Sequence, residues 1–144
     1  MPLRSAVWIS FLVVSLYPST LFAQAKTSTR DGVYTADQST QGKAVYDKQC
    51  AMCHGDTLQG MGQNPPLAGD DFLTNWNDQT LADLDTKIAT TMPATDPGSL
   101  TAEETVQLLA YIMSSNKLPP GSVALPTDID KLKSIHIDKP QAKP

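Results

Sequence analysis

Apolar side chains recur with the period of an α-helix in three stretches of the chain, residues 39–50, 72–91 and 101–116. The last stretch is the most regular, and Thr101 and Glu104 at its start have the spacing of a capping box. The pattern therefore predicts a long amphipathic helix near the end of the domain. Its apolar face consists of Val106, Leu109, Ala110 and Met113, widened by Leu108, Tyr111 and Ile112.

The first stretch, residues 39–50, is predicted to begin at Ser39 or Thr40, because either hydroxyl can cap a helix. Its apolar face includes Gly42 and Tyr46. A glycine in a helix interior is less favourable than alanine by about 1 kcal/mol. A close approach by another backbone would justify a glycine at this position.

The middle stretch, residues 72–91, has a cap-like start inside it, where Thr80 is followed at the capping-box spacing by Asp83. The helix cannot run past Met92, because Pro93 disfavours α-helical backbone at the residue before it. Met92 is therefore predicted to lie in extended backbone just after the end of a helix.

The other segments are polar or rich in glycine and proline. Residues 55–71 are predicted to be a loop, and 128–135 is the one possible short helix in a tail that holds much of the chain's proline. We find no repeats and no convincing strands. The predicted organisation is an N-terminal arm (26–38), an all-α domain of three to five helices (39–121) and a Pro-rich tail (122–144) that wraps the domain surface.

Residues 1–25 have the pattern of a secretory signal peptide, with Arg4 before the apolar run 6–17 and small residues at the end. Cleavage after Ala23 and cleavage after Ala25 fit equally well. The apolar run is short for a membrane span, although an uncleaved N-terminal anchor stays an alternative. The sequence thus predicts export to the periplasm, with no membrane insertion after cleavage.

Cys50-Ala51-Met52-Cys53-His54 has the pattern by which haem c is attached to a protein. Each thiol adds to one vinyl group of the haem, so the two sulfur atoms must lie about one helical turn apart. The histidine that follows then lies under the iron as its proximal ligand. The sequence contains two cysteines and both belong to this motif, so it predicts one haem c per chain, attached through Cys50 and Cys53.

Other interpretations of Cys50, Cys53 and His54 have less support from the sequence. A zinc site needs four ligands, and beyond the two cysteines the chain offers only the adjacent His54 and the distant His136. A thioredoxin-like redox pair is expected in a βαβ context, which the pattern lacks. A structural disulfide between residues three apart would be strained.

Composition and charge agree with a haem protein. Without the predicted leader the chain keeps 10 Lys and Arg residues against 15 Asp and Glu, a net charge of about −5 that argues against nucleic acid and anionic membranes as partners. Only five aromatic residues remain, which is sparse for a core of this size, and a buried haem would supply the missing apolar mass. These residues are Tyr34, Tyr46, Phe72, Trp76 and Tyr111.

Electron carriers commonly hold haem iron with a methionine as second ligand. Met52 lies inside the attachment motif, Met61 is close to His54 in sequence, and Met113 belongs to an apolar helix face. Met92 is far enough along the chain to approach the iron from the opposite face, and its backbone is restricted by the following proline. We predict His54 and Met92 as iron ligands; the alternative is an ordinary methionine, with the iron five-coordinate or held by another residue.

Together these features resemble class I cytochrome c over roughly residues 40–121. In that family a glycine and an aromatic residue of the first helix pack against an aliphatic and an aromatic residue of the last, and Gly42 and Tyr46 match the first pair. Leu108 and Tyr111 match the second pair. The resemblance implies a class I cytochrome c fold wrapped around one covalently bound haem.

The resemblance also implies further haem-binding residues. Pro65 matches a family proline whose carbonyl accepts a hydrogen bond from the proximal histidine, and Leu67 matches a leucine that packs on the haem. More narrowly, Phe72, Trp76 and the segment 92–121 are similar to bacterial cytochromes associated with quinoprotein alcohol or sugar dehydrogenases. Unlike the mitochondrial carriers, this chain lacks a lysine-rich docking face.

The leading hypothesis is a one-electron carrier that is not itself an enzyme, a monomer or a subunit of a redox complex. Its expected partners are redox proteins, among them a quinoprotein dehydrogenase and a terminal oxidase. Docking is expected through uncharged residues of 57–69 and 89–95. A second hypothesis is a permanent electron-accepting subunit of a periplasmic dehydrogenase, with residues 118–144 as its partner-binding segment. A third is a haem sensor or peroxidase-like enzyme, which requires an open iron position.

Overall fold

The computed structural model describes residues 27–141; the predicted leader and the last three residues lie outside this range. The described part is mostly helical, which confirms the predicted all-α class. It has six α-helices because the stretch 72–91 forms two and because a four-residue helix, Ala51–His54, was not predicted; the short helix expected within 128–135 is present. No helix within residues 27–141 is long and apolar enough to cross a membrane. The helices are α1 (Ala36–Gln49), α2 (Ala51–His54), α3 (Asp70–Trp76), α4 (Leu81–Thr91), α5 (Ala102–Ser115) and α6 (Ile129–Leu132).

Helix α1 begins earlier than the sequence pattern predicted. The Thr35 side chain accepts a hydrogen bond from the Gln38 backbone N–H, and the Gln38 side chain accepts one from the Thr35 N–H, which completes a capping box. The prediction of Ser39 or Thr40 as the cap was therefore wrong. The predicted arm, residues 26–38, includes the first turn of this helix because the turn is polar and shows no apolar periodicity.

Helices α1 and α5 pack closely where Gly42 lies. A Cβ on Gly42 would be 1.8 Å from the Gln107 carbonyl oxygen, so no larger residue fits without separation of the two helices. One turn further along, the rings of Tyr46 and Tyr111 meet with their centroids 5.3 Å apart and their planes tilted by 56°. The close backbone approach expected for this glycine is thus present.

The stretch 72–91 forms two helices rather than one. Between α3 and α4, Asn77 has extended backbone and Asp78 has a φ of 64°, which interrupts the helical path. Helix α4 starts at the capping box of Thr80 and Asp83, as predicted. It ends at Thr91, and Met92 follows with extended backbone (φ −124°, ψ 150°).

The chain also contains two short strands that the sequence did not predict, β1 (Thr27–Ser28) and β2 (Ile135–His136), paired in parallel. Strands of two residues are too short to show an alternating pattern. They join the N-terminal segment to the tail, which packs on the domain. Tail side chains that contribute to the core are Leu125, Leu132, Ile135 and Ile137.

Candidate haem site

A cleft of about 320 Å³ is bordered by the end of α1, by α2 and by the segment after α4. Helices α3, α4 and α5 each contribute apolar side chains to its wall. Every residue predicted to bind the cofactor borders this cleft: Cys50, Cys53, His54, Pro65, Leu67 and Met92. Its further lining residues include Tyr46, Phe72, Trp76, Leu84, Lys87, Ile88, Leu108 and Ile112.

The two cysteines lie one helical turn apart because α1 gives way directly to α2. Cys50 ends α1, donating its N–H to Tyr46 O (2.9 Å), and its own carbonyl oxygen accepts hydrogen bonds from the Cys53 and His54 N–H groups at 3.0 and 2.9 Å. Both residues carry free thiols; Cys50 is half-buried and Cys53 is exposed. Burial, with a smaller contribution from Cys53, raises the pKa of the Cys50 thiol to about 11.

His54 is buried, and one nitrogen of its ring has a defined partner. Nδ1 lies 2.8 Å from the Pro65 carbonyl oxygen. A carbonyl oxygen can only accept a hydrogen bond, so Nδ1 carries the proton and Nε2 of the neutral imidazole keeps its lone pair. Nε2 is thereby the atom of this side chain that is suited to bind a metal. The contact that the family resemblance implied for Pro65 is present in the structure.

The loop that carries Pro65 is also held by Asn116, a residue that the sequence pattern did not identify as part of the site. The Asn116 Nδ2 group donates to Leu67 O (3.0 Å) and Ile112 O (2.8 Å), and its Oδ1 accepts from the Gly69 N–H (3.0 Å). The side chain is buried, with 3% of its surface exposed. From sequence alone an asparagine at this point indicates only a helix end, because Leu67 and Gly69, two of its three partners, are nearly fifty residues away.

Met92 is half-buried and borders the same cleft as His54. The other methionines of the described chain are placed differently. Met52 lies at the rim with 86% of its surface exposed, Met61 is 52% exposed, and Met113 is fully buried in the core. Of the four, Met92 combines partial burial with a position in the cleft.

The wall of the cleft is mainly apolar and includes aromatic side chains. Phe72 and Trp76 lie one turn apart on α3, with ring centroids 6.2 Å from each other. Leu108, which the family resemblance placed against the first helix, lines the cleft as well. Lys87 is the one Lys, Arg, Asp or Glu among the described residues that border the cleft, and sequence reasoning did not identify it.

The residues considered for a zinc site are not brought together. His136 lies on β2, and its Nδ1 is 3.2 Å from the Asp78 carbonyl oxygen. Within residues 27–141 no group of three or more His, Cys, Asp or Glu side chains could hold a metal ion.

The donor set fits a covalently bound haem. Two thiols one helical turn apart can form two thioethers, the next residue offers an oriented imidazole nitrogen, and an apolar cleft opens beside them. A flat apolar macrocycle matches such a cleft better than a small polar substrate does.

The chain is similar to several known proteins. The family model described as "Cytochrome C oxidase, cbb3-type, subunit III" matches residues 37–112. A thiosulfate dehydrogenase of Stutzerimonas stutzeri (strain A1501) is 32% identical over 101 residues, covering 65% of this chain and 32% of that protein. Cytochrome c-554(547) of Halothiobacillus neapolitanus is 50% identical over 34 residues, covering 24% of this chain and 37% of that protein.

The chain thus spans about a third of the length of these two relatives. Among solved structures, the crystal structure of the sulfane dehydrogenase SoxCD from Paracoccus pantotrophus matches with a TM-score of 0.44 and 23% identity. That match covers 61% of this chain and 52% of the SoxCD chain.

Proposed function

Because this chain belongs to the c-type cytochrome family described as "Cytochrome C oxidase, cbb3-type, subunit III", and is a class I c-type cytochrome, we propose that it is an exported one-electron carrier with a single haem c. The proposal assigns the thioether bonds to Cys50 and Cys53 and the iron ligands to His54 and Met92. When bound, the haem supplies a one-electron couple between ferrous and ferric iron.

The observation that carries the proposal is the hydrogen bond from His54 Nδ1 to the Pro65 carbonyl oxygen, in a cleft that Met92 also borders. This bond fixes the imidazole orientation and makes Nε2 the better electron donor. Asn116 supports the arrangement, because it ties the loop after Pro65 to the end of α5.

The remaining residues of the site exclude water and limit movement. The side chains of Phe72, Leu108 and Ile112 are at least 98% buried and close the apolar wall. Electron transfer changes only the charge of the iron, so a rigid, mostly dry pocket keeps the reorganisation of the surroundings small. The chain's own residues therefore hold, orient and shield the cofactor.

We propose that the chain is not an enzyme by itself, since two protein ligands leave the iron without a position for substrate. The alternative is that the chain is itself an enzyme, and its similarity to a thiosulfate dehydrogenase points to thiosulfate as the substrate to test. An enzyme acting on thiosulfate would reduce an added electron acceptor in the presence of thiosulfate alone. The carrier proposal expects no such reduction, and its haem should instead accept electrons from a separate dehydrogenase.

The expected partners are redox proteins in the periplasm, including a dehydrogenase as donor and a terminal oxidase as acceptor. No charged residue lies between Asp56 and Asp70, and Met52 and Met61 expose apolar surface close to this loop. Docking through this surface would give electron-transfer rates that depend only weakly on salt. A steep decline with ionic strength would show that charged faces steer docking instead.

The test is the absorption spectrum of the holoprotein, oxidised and reduced, beside the variants Met92→Ala and Met61→Ala. Low-spin iron with the weak far-red methionine–iron band is expected in the wild type and in Met61→Ala, whose side chain lies in the exposed loop. The band should be lost in Met92→Ala. A band that persists in Met92→Ala, or high-spin iron in the wild type, would contradict the ligand assignment and favour catalysis or sensing.

A further inference from the structure

The C-terminal segment, residues 122–141, crosses the turn from which α4 starts, and we call it the C-terminal strap. The Asp78 N–H donates to the Ile137 carbonyl oxygen (3.0 Å), and the Ile137 N–H donates to Gln79 O (2.8 Å). Next to this pair, Thr80 and His136 form an antiparallel bridge. Thr80 is also the N-cap of α4, so the strap is hydrogen-bonded to the residues that begin this helix.

The strap is anchored in the core rather than laid on the surface. Leu132 and Ile137 have no exposed surface, and α6, which contains Leu132, packs against α4. The burial of these two side chains stabilises the attachment of the strap to the domain.

A second set of contacts ties the strap to the beginning of the described chain. The Ser28 hydroxyl donates to the Asp138 carboxylate (2.5 Å), and the Arg30 guanidinium lies 3.3 Å from the same oxygen. The Asp138 N–H donates to the Thr29 hydroxyl (3.1 Å). The strap is therefore held on both sides, by the N-terminal segment and by the turn before α4.

Helix α4 connects the strap to the cleft. It has 11 residues, which corresponds to a length of about 16 Å, and Met92 follows it directly with an N–H that donates to Ile88 O (2.9 Å). After Met92, Pro93 is buried and residues 94–99 are all exposed. The position of Met92 therefore depends on α4 before it and on Pro93 after it, and the start of α4 is held by the strap.

We propose that the C-terminal strap is a positioning device that keeps Met92 against the haem iron. Release of the strap would let α4 shift and Met92 withdraw, and a haem held in the cleft would then have a position open to a small external ligand such as carbon monoxide. Residues 122–141 thereby control whether the haem is closed for electron transfer or open to ligands. The inference rests on the proposed His54 and Met92 ligation.

The test compares Ile137→Ala in the strap with Leu118→Ala outside it. Both side chains are at least 98% buried, and neither borders the cleft. The global stability of each holoprotein is measured by denaturant unfolding, and the rate of carbon monoxide binding to the ferrous haem is measured by stopped flow. Ile137→Val serves as the conservative variant.

Ile137→Ala should bind carbon monoxide at least about tenfold faster than the wild type. Leu118→Ala, at a similar loss of global stability, should change the rate by less than about twofold. Ile137→Val, which removes one methyl group, should give an intermediate rate increase of about threefold. If Ile137→Ala does not fold, a rate increase in Ile137→Val that exceeds that of Leu118→Ala supports the proposal.

Equal rates in the strap variant and in Leu118→Ala at matched stability would overturn the inference and leave the proposed function intact. A wild type without the methionine–iron band would overturn both.

Discussion

The crossing of α1 and α5 allows a quantitative test, because two effects of the substitution Gly42→Ala have opposite signs. Alanine is more favourable than glycine in a helix interior by about 1 kcal/mol, so helix propensity alone predicts stabilisation. The structure predicts the opposite. A Cβ at this position would lie 1.8 Å from the Gln107 carbonyl oxygen and 2.4 Å from its carbonyl carbon.

The clash is with backbone, so no side-chain rotation can relieve it. Relief needs the two helices to separate by more than about 1 Å, and a gap of that size forfeits a quarter to a half of the dispersion energy across the contact. The ring contact between Tyr46 and Tyr111, at 5.3 Å, would loosen as well. Overpacking costs of about 3 kcal/mol, less the helix gain of about 1 kcal/mol, give a net loss near 2 kcal/mol.

The assay is urea unfolding of the holoprotein, followed by circular dichroism, with Ala44→Gly as the matched control. Ala44 is exposed on the same helix, so its replacement reports the propensity difference alone and should destabilise by about 1 kcal/mol. If Gly42→Ala equals or exceeds the wild type in its free energy of unfolding, the close approach of α1 and α5 is not what requires the glycine.

Three further outcomes are expected. Asn116→Ala removes three hydrogen bonds of a buried side chain and should lower the free energy of unfolding by about 2–3 kcal/mol, with a changed reduction potential; an unchanged midpoint in urea would contradict this. Lys87→Met removes a positive charge from the cleft and should lower the reduction potential by some tens of millivolts in redox titration, whereas Lys117→Met, outside the cleft, should change it less. The hydrogen bond from Ser28, aided by Arg30, holds the pKa of Asp138 below its ordinary value of 3.8, so Asp138→Asn should destabilise the protein above about pH 4. That difference should vanish as the pH falls through the lowered pKa, and unfolding curves whose difference persists at low pH would refute this role of the charge.

Features coded by a few neighbouring residues could be predicted from the sequence. The capping boxes at Thr80 and Thr101 need only a partner three residues away, and the extended backbone of Met92 needs only the next residue, Pro93. The early start of α1 is also determined by neighbouring residues, the capping box of Thr35 and Gln38. It was missed because the first turn is polar and the apolar periodicity begins later.

Features that depend on distant segments could not be predicted in the same way. Asn116 reaches residues 67 and 69, and nothing in the sequence around it indicates that approach. The two-residue strands exist because β2 is held between the N-terminal segment and the turn before α4, not because of β-propensity. The placement of Lys87 on the cleft likewise follows from how α4 packs on α5.

The two sides of the cleft differ in how firmly their proposed ligands are held, and this decides where a ligand exchange would occur. His54 is fixed by the short helix α2 that it ends, by a hydrogen bond to Pro65 and, through the loop, by Asn116. Met92 has one helix before it, and after it comes the buried Pro93 followed by six exposed residues. Local opening follows the smallest number of buried contacts, so the methionine side should open first. By stabilising the start of α4, the strap therefore supports Met92, the proposed ligand that has fewer contacts of its own.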